Sequence, residues 1–454
     1  MTKSSPAGRL QSSFRDPSGF VYRKDGKVFR HICKNAMADF ERFISSGLAG
    51  VLVDRELLLP FEIISKDNDS ITVEPEQIPF VTWCYEWSYN QFLDAAAVTA
   101  EICRTALEYG FILKDASAFN LTYHKGRMYF IDHTSFVPYD LGTPWMAYKQ
   151  FCMQFFSPLM LMKYVTPETI ALLKSDVDGI KLDVASKMLP WKSYFFLPAL
   201  THIHLHALAD KKYSGNMSES RSVRMKADGL HDLLETILHD LKSLGPGSTK
   251  TLWQDYYSCD HYSKASFEHK KLLTEEFCSK RKPGVLLDAG ANSGVFSQIA
   301  SRYSTMVVAA DFDANAVDAL YLKCRNTNSN IFPVKLDIFN PTPAVGAFNE
   351  ERSSFFDRCQ PDCIMGLALM HHLRVTGNWN LDNIVKFFAM AKKSALVEFV
   401  PLDDPRMQQL VRGRGSIYAD WELENVVTAF KRSFSKVRIC EIINSSRVLI
   451  ELDK

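Results

Sequence analysis

The rhythm of apolar and polar positions changes part-way along this chain. From Val285 onward, short apolar runs alternate with helix-length stretches. Residues 285–288, 306–311, 332–337, 362–367 and 395–400 read as buried strands. The stretches between them are long enough for helices, so the alternation predicts a parallel sheet with helices on both faces. Residues 437–443 and 448–452 follow close together, which predicts a terminal antiparallel hairpin.

The first half is less regular. Residues 19–23 and 27–32 flank Asp25-Gly26 as two short strands around a turn. Residues 37–46 carry Phe40, Phe43 and Ile44 at helical spacing. Short strand-like pieces follow, ending in 78–85. Residues 93–109 are Ala-rich and periodic, which predicts a helix with Gly110 as its terminator. From 166 to 250 the pattern is mainly helical, broken by a polar stretch at 214–226 that reads as a loop. Leu244-Gly-Pro-Gly-Ser-Thr-Lys250 is a linker signal. It lacks the Gly before Lys of a phosphate-binding loop, and a helix rather than a strand precedes it. The expected organisation is therefore an α+β domain over 1–165, a helical connector and linker over 166–250, and an α/β domain over 251–454.

Composition narrows the function classes. The chain has 454 residues, 46% hydrophobic and 23% charged, which is ordinary for a soluble globular protein of two domains. Its 53 basic and 52 acidic residues leave a formal charge of +1, so no general electrostatic signal for nucleic acid or an anionic membrane exists. No apolar run has the length of a membrane span or the flanks of a signal peptide. The 10 cysteines form no C-x-x-C pair, and reduced thiols in a cytoplasmic protein are expected.

The strongest chemical motif is Asp288-Ala-Gly290-Ala-Asn292-Ser-Gly294, in which an apolar strand enters a glycine-containing turn and the turn enters a helix. Gly290 and Gly294 let backbone approach a ligand where a side chain would collide. Asp311 ends the next strand, about twenty residues past the glycines, where a carboxylate can accept hydrogen bonds from a ribose diol. Asp337 and Ile338 end the third strand, placed to meet an adenine. Together these resemble the class I methyltransferase pattern of D-x-G-x-x-x-G, an acid after the second strand and an Asp after the third. The resemblance implies a Rossmann-like fold and S-adenosylmethionine as cofactor. Asn292 stands where many such enzymes have a middle Gly, and Asn also tolerates left-handed backbone.

In such enzymes the end of the fourth strand faces donor and acceptor. Here it leads into Gly366-Leu-Ala-Leu-Met-His371-His372, which makes His371 and His372 the catalytic candidates, with Glu398 on the fifth strand a weaker one. Methyl transfer from a sulfonium is an in-line displacement on an already activated donor, so alignment and desolvation matter most. A base is needed only when the acceptor must lose a proton. An aromatic lead-in, Trp253-Gln-Asp-Tyr256-Tyr257, Tyr262 and Phe267, can lid a cofactor pocket or simply pack in a core.

In the first half, Asp115-Ala-Ser-Ala-Phe-Asn120, a hairpin turning at Lys125-Gly126, and a strand ending in Asp132 resemble the catalytic centre of protein-kinase-like folds. There the first Asp orients the acceptor hydroxyl, and the Asn and second Asp hold magnesium. Departures are clear. No G-x-G-x-x-G loop exists, Arg30 or Lys34 has to replace the usual lysine, and His133 follows Asp132. A retained frame that binds a substrate or partner is the expected use. His202, His204 and His206 alternate, and on an α-helix His202 and His206 would share a face. No third ligand is evident, so packing is expected and no metal is assigned.

Over nearly the whole length, Tyr85-Glu-Trp-Ser88, Leu113 to Asn120, Phe130-Ile-Asp132, Pro144-Trp145, Tyr148-Lys-Gln-Phe151 and Asp288 to Gly294 resemble bacterial class I methyltransferases of the NoeA-like nodulation group. This implies methyl transfer to an acceptor that the pattern does not fix. The rival expectations are a phosphotransferase using Asp115, Asn120 and Asp132, and a non-catalytic binding scaffold.

Overall fold

The computed structural model describes residues 8–213, 226, 228–247, 263–411 and 415–454. The chain forms two units. One comprises Met1–Gly247 with Pro343–Ser353, and the other Ser248–Thr342 with Ser354–Lys454. The helices between 166 and 247 thus belong to the same unit as the residues before them. Most of the polar stretch at 214–226, the end of the linker, and the lead-in from Trp253 to Tyr262 lie outside the described residues.

In the first unit, β1 (Gly19–Lys24) and β2 (Lys27–Cys33) form a hairpin whose turn residues Asp25 and Gly26 both have positive φ, 50° and 79°. That is the backbone a two-residue hairpin turn needs. With β3 (Phe61–Lys66) and β4 (Ser70–Pro75) they make a four-stranded sheet of order β1-β2-β4-β3, all pairs antiparallel. The helix Lys34–Ser45 buries Phe40 and Phe43, and Phe43 stacks on Phe136 with ring centres 4.2 Å apart.

Residues 78–85 were expected to form a strand, but they run as irregular chain into a single tight turn at Cys84–Glu86. Pro79 has no N–H to give a ladder. The N–H of Thr82 donates to Thr122 Oγ1 at 3.1 Å, and that of Trp83 to Glu86 Oε2 at 2.9 Å. Side chains have taken the donors a strand would use. The helix Tyr89–Glu108 follows, and Gly110, at φ 77°, ends it. β5 (Phe111–Leu113) pairs with β8 (Phe136–Pro138), and between them β6 (Leu121–His124) and β7 (Arg127–Phe130) form a second hairpin.

The histidine-rich segment is a π-helical turn, Leu200–Leu205, so the α-helical spacing assumed from sequence does not apply there. His202 accepts or donates at 2.7 Å to Tyr148 Oη and at 2.9 Å to Asp240, and stacks on Phe156 at 4.0 Å. His204 lies between the hydroxyls of Ser186 and Ser193, 2.8 Å from each. Both rings are packing elements with satisfied nitrogens.

The second unit is built on seven strands: β9 (Val285–Ala289), β10 (Met306–Asp311), β11 (Ile331–Lys335), β12 (Cys363–Gly366), β13 (Ser394–Phe399), β14 (Lys436–Glu441) and β15 (Val448–Asp453). Their order is β11-β10-β9-β12-β13-β15-β14, and only β15 runs against the rest. β10 and β13 are buried at every position, as a parallel sheet covered on both faces requires. This order with a terminal antiparallel hairpin is the Rossmann-like sheet that the alternating pattern predicts. The strand order reverses between β9 and β12, which opens a crevice at their carboxyl ends. Among the described residues no helix is long and apolar enough to cross a membrane.

Candidate functional site

The crevice is lined first by the turn leaving β9. Gly290 and Gly294 both have φ 79°, and Asn292 lies between them at φ 49°. Gly290 is held by conformation: a Cβ there would meet only the Leu369 side chain, at 3.5 Å. Gly294 is held by conformation and by space, since a Cβ would collide with Leu320 Cδ1 at 2.3 Å. The N–H groups of Gly290 and Ala291 both donate to Ala310 O, at 2.8 and 3.0 Å, which folds the turn over the end of β10.

Asp311 completes that fold. Its Oδ2 accepts the N–H of Asn292 at 2.7 Å and its Oδ1 that of Asp313 at 2.9 Å. Burial pushes its carboxyl up to about 6, and these two N–H donors oppose the rise. Asp288, inside β9, accepts from the Ser297 hydroxyl of the following helix. Burial carries Asp288 up to about 7; Ser297 and Lys270 hold it down and the Asp311 charge adds to the rise. The two acids therefore sit within each other's field under the glycine turn.

β11 ends at Lys335, two residues before Asp337. Asp337 is exposed, and its side chain caps its own turn by accepting the Phe339 N–H at 2.9 Å. Ile338 is buried beside it. The exit of β11 is tied to the Asp311 backbone, because Leu336 N–H donates to Asp311 O at 2.8 Å.

On the other side of the crevice, the helix Met370–Val375 carries His371 and His372, with ring centres 4.3 Å apart. Burial, then His372, Arg447 and Lys270, hold His371 well below the usual imidazole range. Burial lowers His372 to about 4. Both rings are neutral at neutral pH.

Around Glu398, the weaker candidate on the fifth strand, three charged residues escaped sequence reasoning: Lys270, Arg447 and Asp404. Glu398, fully buried on β13, accepts from Lys270 Nζ at 2.6 Å, and Arg447 lies 3.5 Å from its other oxygen. Arg447 is bidentate to Asp404, at 2.7 and 3.0 Å. The available signal was Glu398 itself, an acid inside an otherwise apolar strand, which demands a buried cation.

The first unit brings its three motif residues together as well. Asp115 Oδ1 accepts from Gln150 Nε2 at 2.7 Å and from Ser117 N–H at 3.0 Å. Burial and the Asp132 charge raise the Asp115 carboxyl, and Gln150, Ser117 and Asn120 counter them. Asp132 is more heavily engaged. Arg30 Nη1 lies 2.8 Å from Oδ1, Thr134 donates to the same oxygen through N–H and hydroxyl at 3.0 and 2.7 Å, and Ser135 donates to Oδ2 at 2.6 Å. Against burial, these partners hold Asp132 at about 2. Of the two basic residues named from sequence, Arg30 pairs with Asp132, whereas Lys34 pairs with Asp69 at 2.7 Å on the surface.

No family model matches the chain. Nodulation protein NoeA of Rhizobium meliloti (strain 1021) is 28% identical over 460 residues, spanning 98% of this chain and 96% of that protein. Among solved structures, N-methyltransferase NodS from Bradyrhizobium japonicum WM9 overlaps at a TM-score of 0.31 and 13% identity, covering 42% of this chain and 99% of that one. The bifunctional kinase-methyltransferase WbdD overlaps at 0.30 and 13%, covering 45% of this chain and 42% of that one.

Proposed function

We propose that the second unit binds S-adenosylmethionine and transfers its methyl group to an acceptor. The observation that carries this reading is the Asp311–Asn292 contact: the acid ending β10 and the left-handed turn after β9 form one hydrogen-bonded cradle at the switch point of a methyltransferase-type sheet. The residues fit the cofactor. Gly290, Asn292 and Gly294 present backbone where side chains would intrude. Each Asp311 oxygen takes one N–H in the contacts above and keeps acceptor capacity for a ribose diol. Asp288 supports the turn through Ser297, and Asp337 with Ile338 offers a polar and an apolar contact for adenine.

The bound cofactor would supply a sulfonium methyl, already activated for displacement. The chain's own part is alignment and desolvation. Burial keeps His371 and His372 neutral and also makes them weak bases, so their part is to line and orient the acceptor rather than to take its proton. The described cysteines are free thiols, which fits a bacterial cytoplasm.

For the first unit we read a kinase-like frame without phosphotransfer. The succession β5, Asp115, Asn120, hairpin, Asp132, β8 favours the frame. Asp132 does not fit a magnesium ligand, because Arg30, Thr134 and Ser135 already engage both its oxygens.

Calorimetric titration of the full chain with S-adenosylmethionine, and separately with ATP and magnesium, tests both readings. Saturable binding of the methyl donor alone supports them. No donor binding overturns the first, and ATP binding moves the activity to the first unit.

A further inference from the structure

Glu398 does more than balance charge. Its Oε2, besides meeting Lys270, accepts the backbone N–H of Ala368 at 2.9 Å. Ala368 is a non-glycine residue at φ 51°, a conformation that L side chains adopt reluctantly. The next residue, Leu369, packs toward the open side of Gly290, where a built Cβ would meet its Cδ1 at 3.5 Å and its Cβ at 3.9 Å. Leu369 also begins the turn into the helix carrying His371 and His372, since the His372 N–H donates to Leu369 O at 2.9 Å. A chain of contacts therefore runs from a carboxylate on β13, through a left-handed alanine, to the glycine turn after β9.

The ionic network is a poor choice for stability alone. Lys270, Glu398, Arg447 and Asp404 are all buried, and apolar side chains of similar volume often replace such groups without loss. What apolar side chains cannot do is accept the Ala368 N–H. Lys270 and Arg447 fix the carboxylate from two sides, so its position relative to Ala368 is set by three elements of the fold: the helix Lys264–Arg281, β13 and the turn before β15.

We propose that Glu398 is a positioning residue for the methyl-donor site: held between Lys270 and Arg447, it pins Ala368 in the left-handed conformation and so sets Leu369 against the donor turn. This rests on the reading of that site as a methyl-donor site.

The test compares full-length wild type with Lys270→Met/Glu398→Leu, which removes both charges together and leaves Arg447 on Asp404. The expected result is a thermal midpoint near wild type with S-adenosylmethionine binding weakened by about tenfold, the scale of one lost charge-assisted hydrogen bond. Adding Ala368→Gly, which makes the left-handed backbone free of steric cost, restores most of the affinity. A purely structural network moves the midpoint and not the affinity, and gains nothing from Ala368→Gly; that result overturns the proposal. If the double variant does not fold, Ala368→Val tests the same link with the ion pair intact. It should weaken donor binding by about tenfold, and unchanged affinity rejects the inference. Failure of the wild type to bind the donor instead rejects the methyl-donor reading.

Discussion

Asp311 accepts the N–H of Asn292 at 2.7 Å, and this contact joins the end of β10 to the turn after β9. The same carboxylate is the proposed anchor for the donor ribose, so its removal has two effects of different size. Asp311→Ala loses the Asn292 and Asp313 N–H contacts, while the turn after β9 is still held by the Gly290 and Ala291 N–H bonds to Ala310 O. The fold should therefore persist. Donor affinity should fall by about ten- to a hundredfold, the range for hydrogen bonds to a charged acceptor. Circular dichroism checks the fold and calorimetry the affinity. Unchanged affinity would remove Asp311 from the site.

The pH dependence of binding follows from the same residue. Burial raises the Asp311 carboxyl to about 6. A ribose diol donates to the ionised form, so donor binding favours deprotonation. Below the folded value a proton must leave on binding, and affinity should fall by up to about tenfold per pH unit. Above about pH 7 it should be flat. Calorimetry in buffers of different ionisation enthalpy should detect proton release near pH 5.5 and none at pH 8. A pH-independent affinity between 5 and 8 would contradict the assignment.

Stability should show the opposite slope. Asp288 and Asp311 both titrate above the ordinary carboxyl value when folded, near 7 and 6. The folded state then binds more protons than the unfolded chain between about pH 4 and 7, so this contribution is present at acid pH and is lost as pH rises through the folded values. Asp288→Asn keeps an acceptor for Ser297 and removes the cost of ionising a buried group. It should raise the stability of the second unit at pH 8 by about 2–4 kcal/mol, with the gain fading toward pH 5. Urea titrations at the two pH values check this. An equal effect at both would mean that Asp288 is not protonated near neutrality.

The strands of the second unit were legible because each is a short apolar run buried on both faces. The expected bounds of β10 match the observed Met306–Asp311, and the others differ by one or two residues. The stretch 78–85 misled because its β-branched and aromatic residues pack in the core of the first unit without ladder bonds: Thr82 and Trp83 give their N–H groups to side chains. Lys270 was hidden by its neighbour. Lys270 and Lys271 are adjacent in a helix, one buried and the other partly exposed, and the pattern alone does not say which faces inward. Glu398 could be singled out because nothing else in its strand is charged, while Arg447 sits in a polar turn that looks solvated. The site's backbone was thus readable from the glycines and acids, whereas its buried cations depended on tertiary contacts.

The Arg30–Asp132 pair gives the test of the first unit. Both side chains are buried and 2.8 Å apart, and Arg30 also donates to Thr134 Oγ1 at 3.0 Å. Arg30→Met leaves Asp132 with hydroxyl and N–H partners only, a buried anion without its cation. The expected cost is about 3–5 kcal/mol at neutral pH. The sign of the acid response also changes. In the wild type Asp132 is held at about 2, so its stabilisation is present above the ordinary carboxyl range and is lost as pH falls toward 2. In Arg30→Met the carboxyl rises, and acid should no longer destabilise through this residue; the deficit relative to wild type should shrink as pH falls from 7 to 3. Thermal midpoints across that range measure it. The same pair bears on nucleotide binding. With Arg30, Thr134 and Ser135 engaging Asp132, magnesium should not promote ATP binding to the wild type. Saturable, magnesium-dependent binding that is lost in Asp132→Asn would show that the ion pair opens, and would favour the phosphotransferase reading of the first unit.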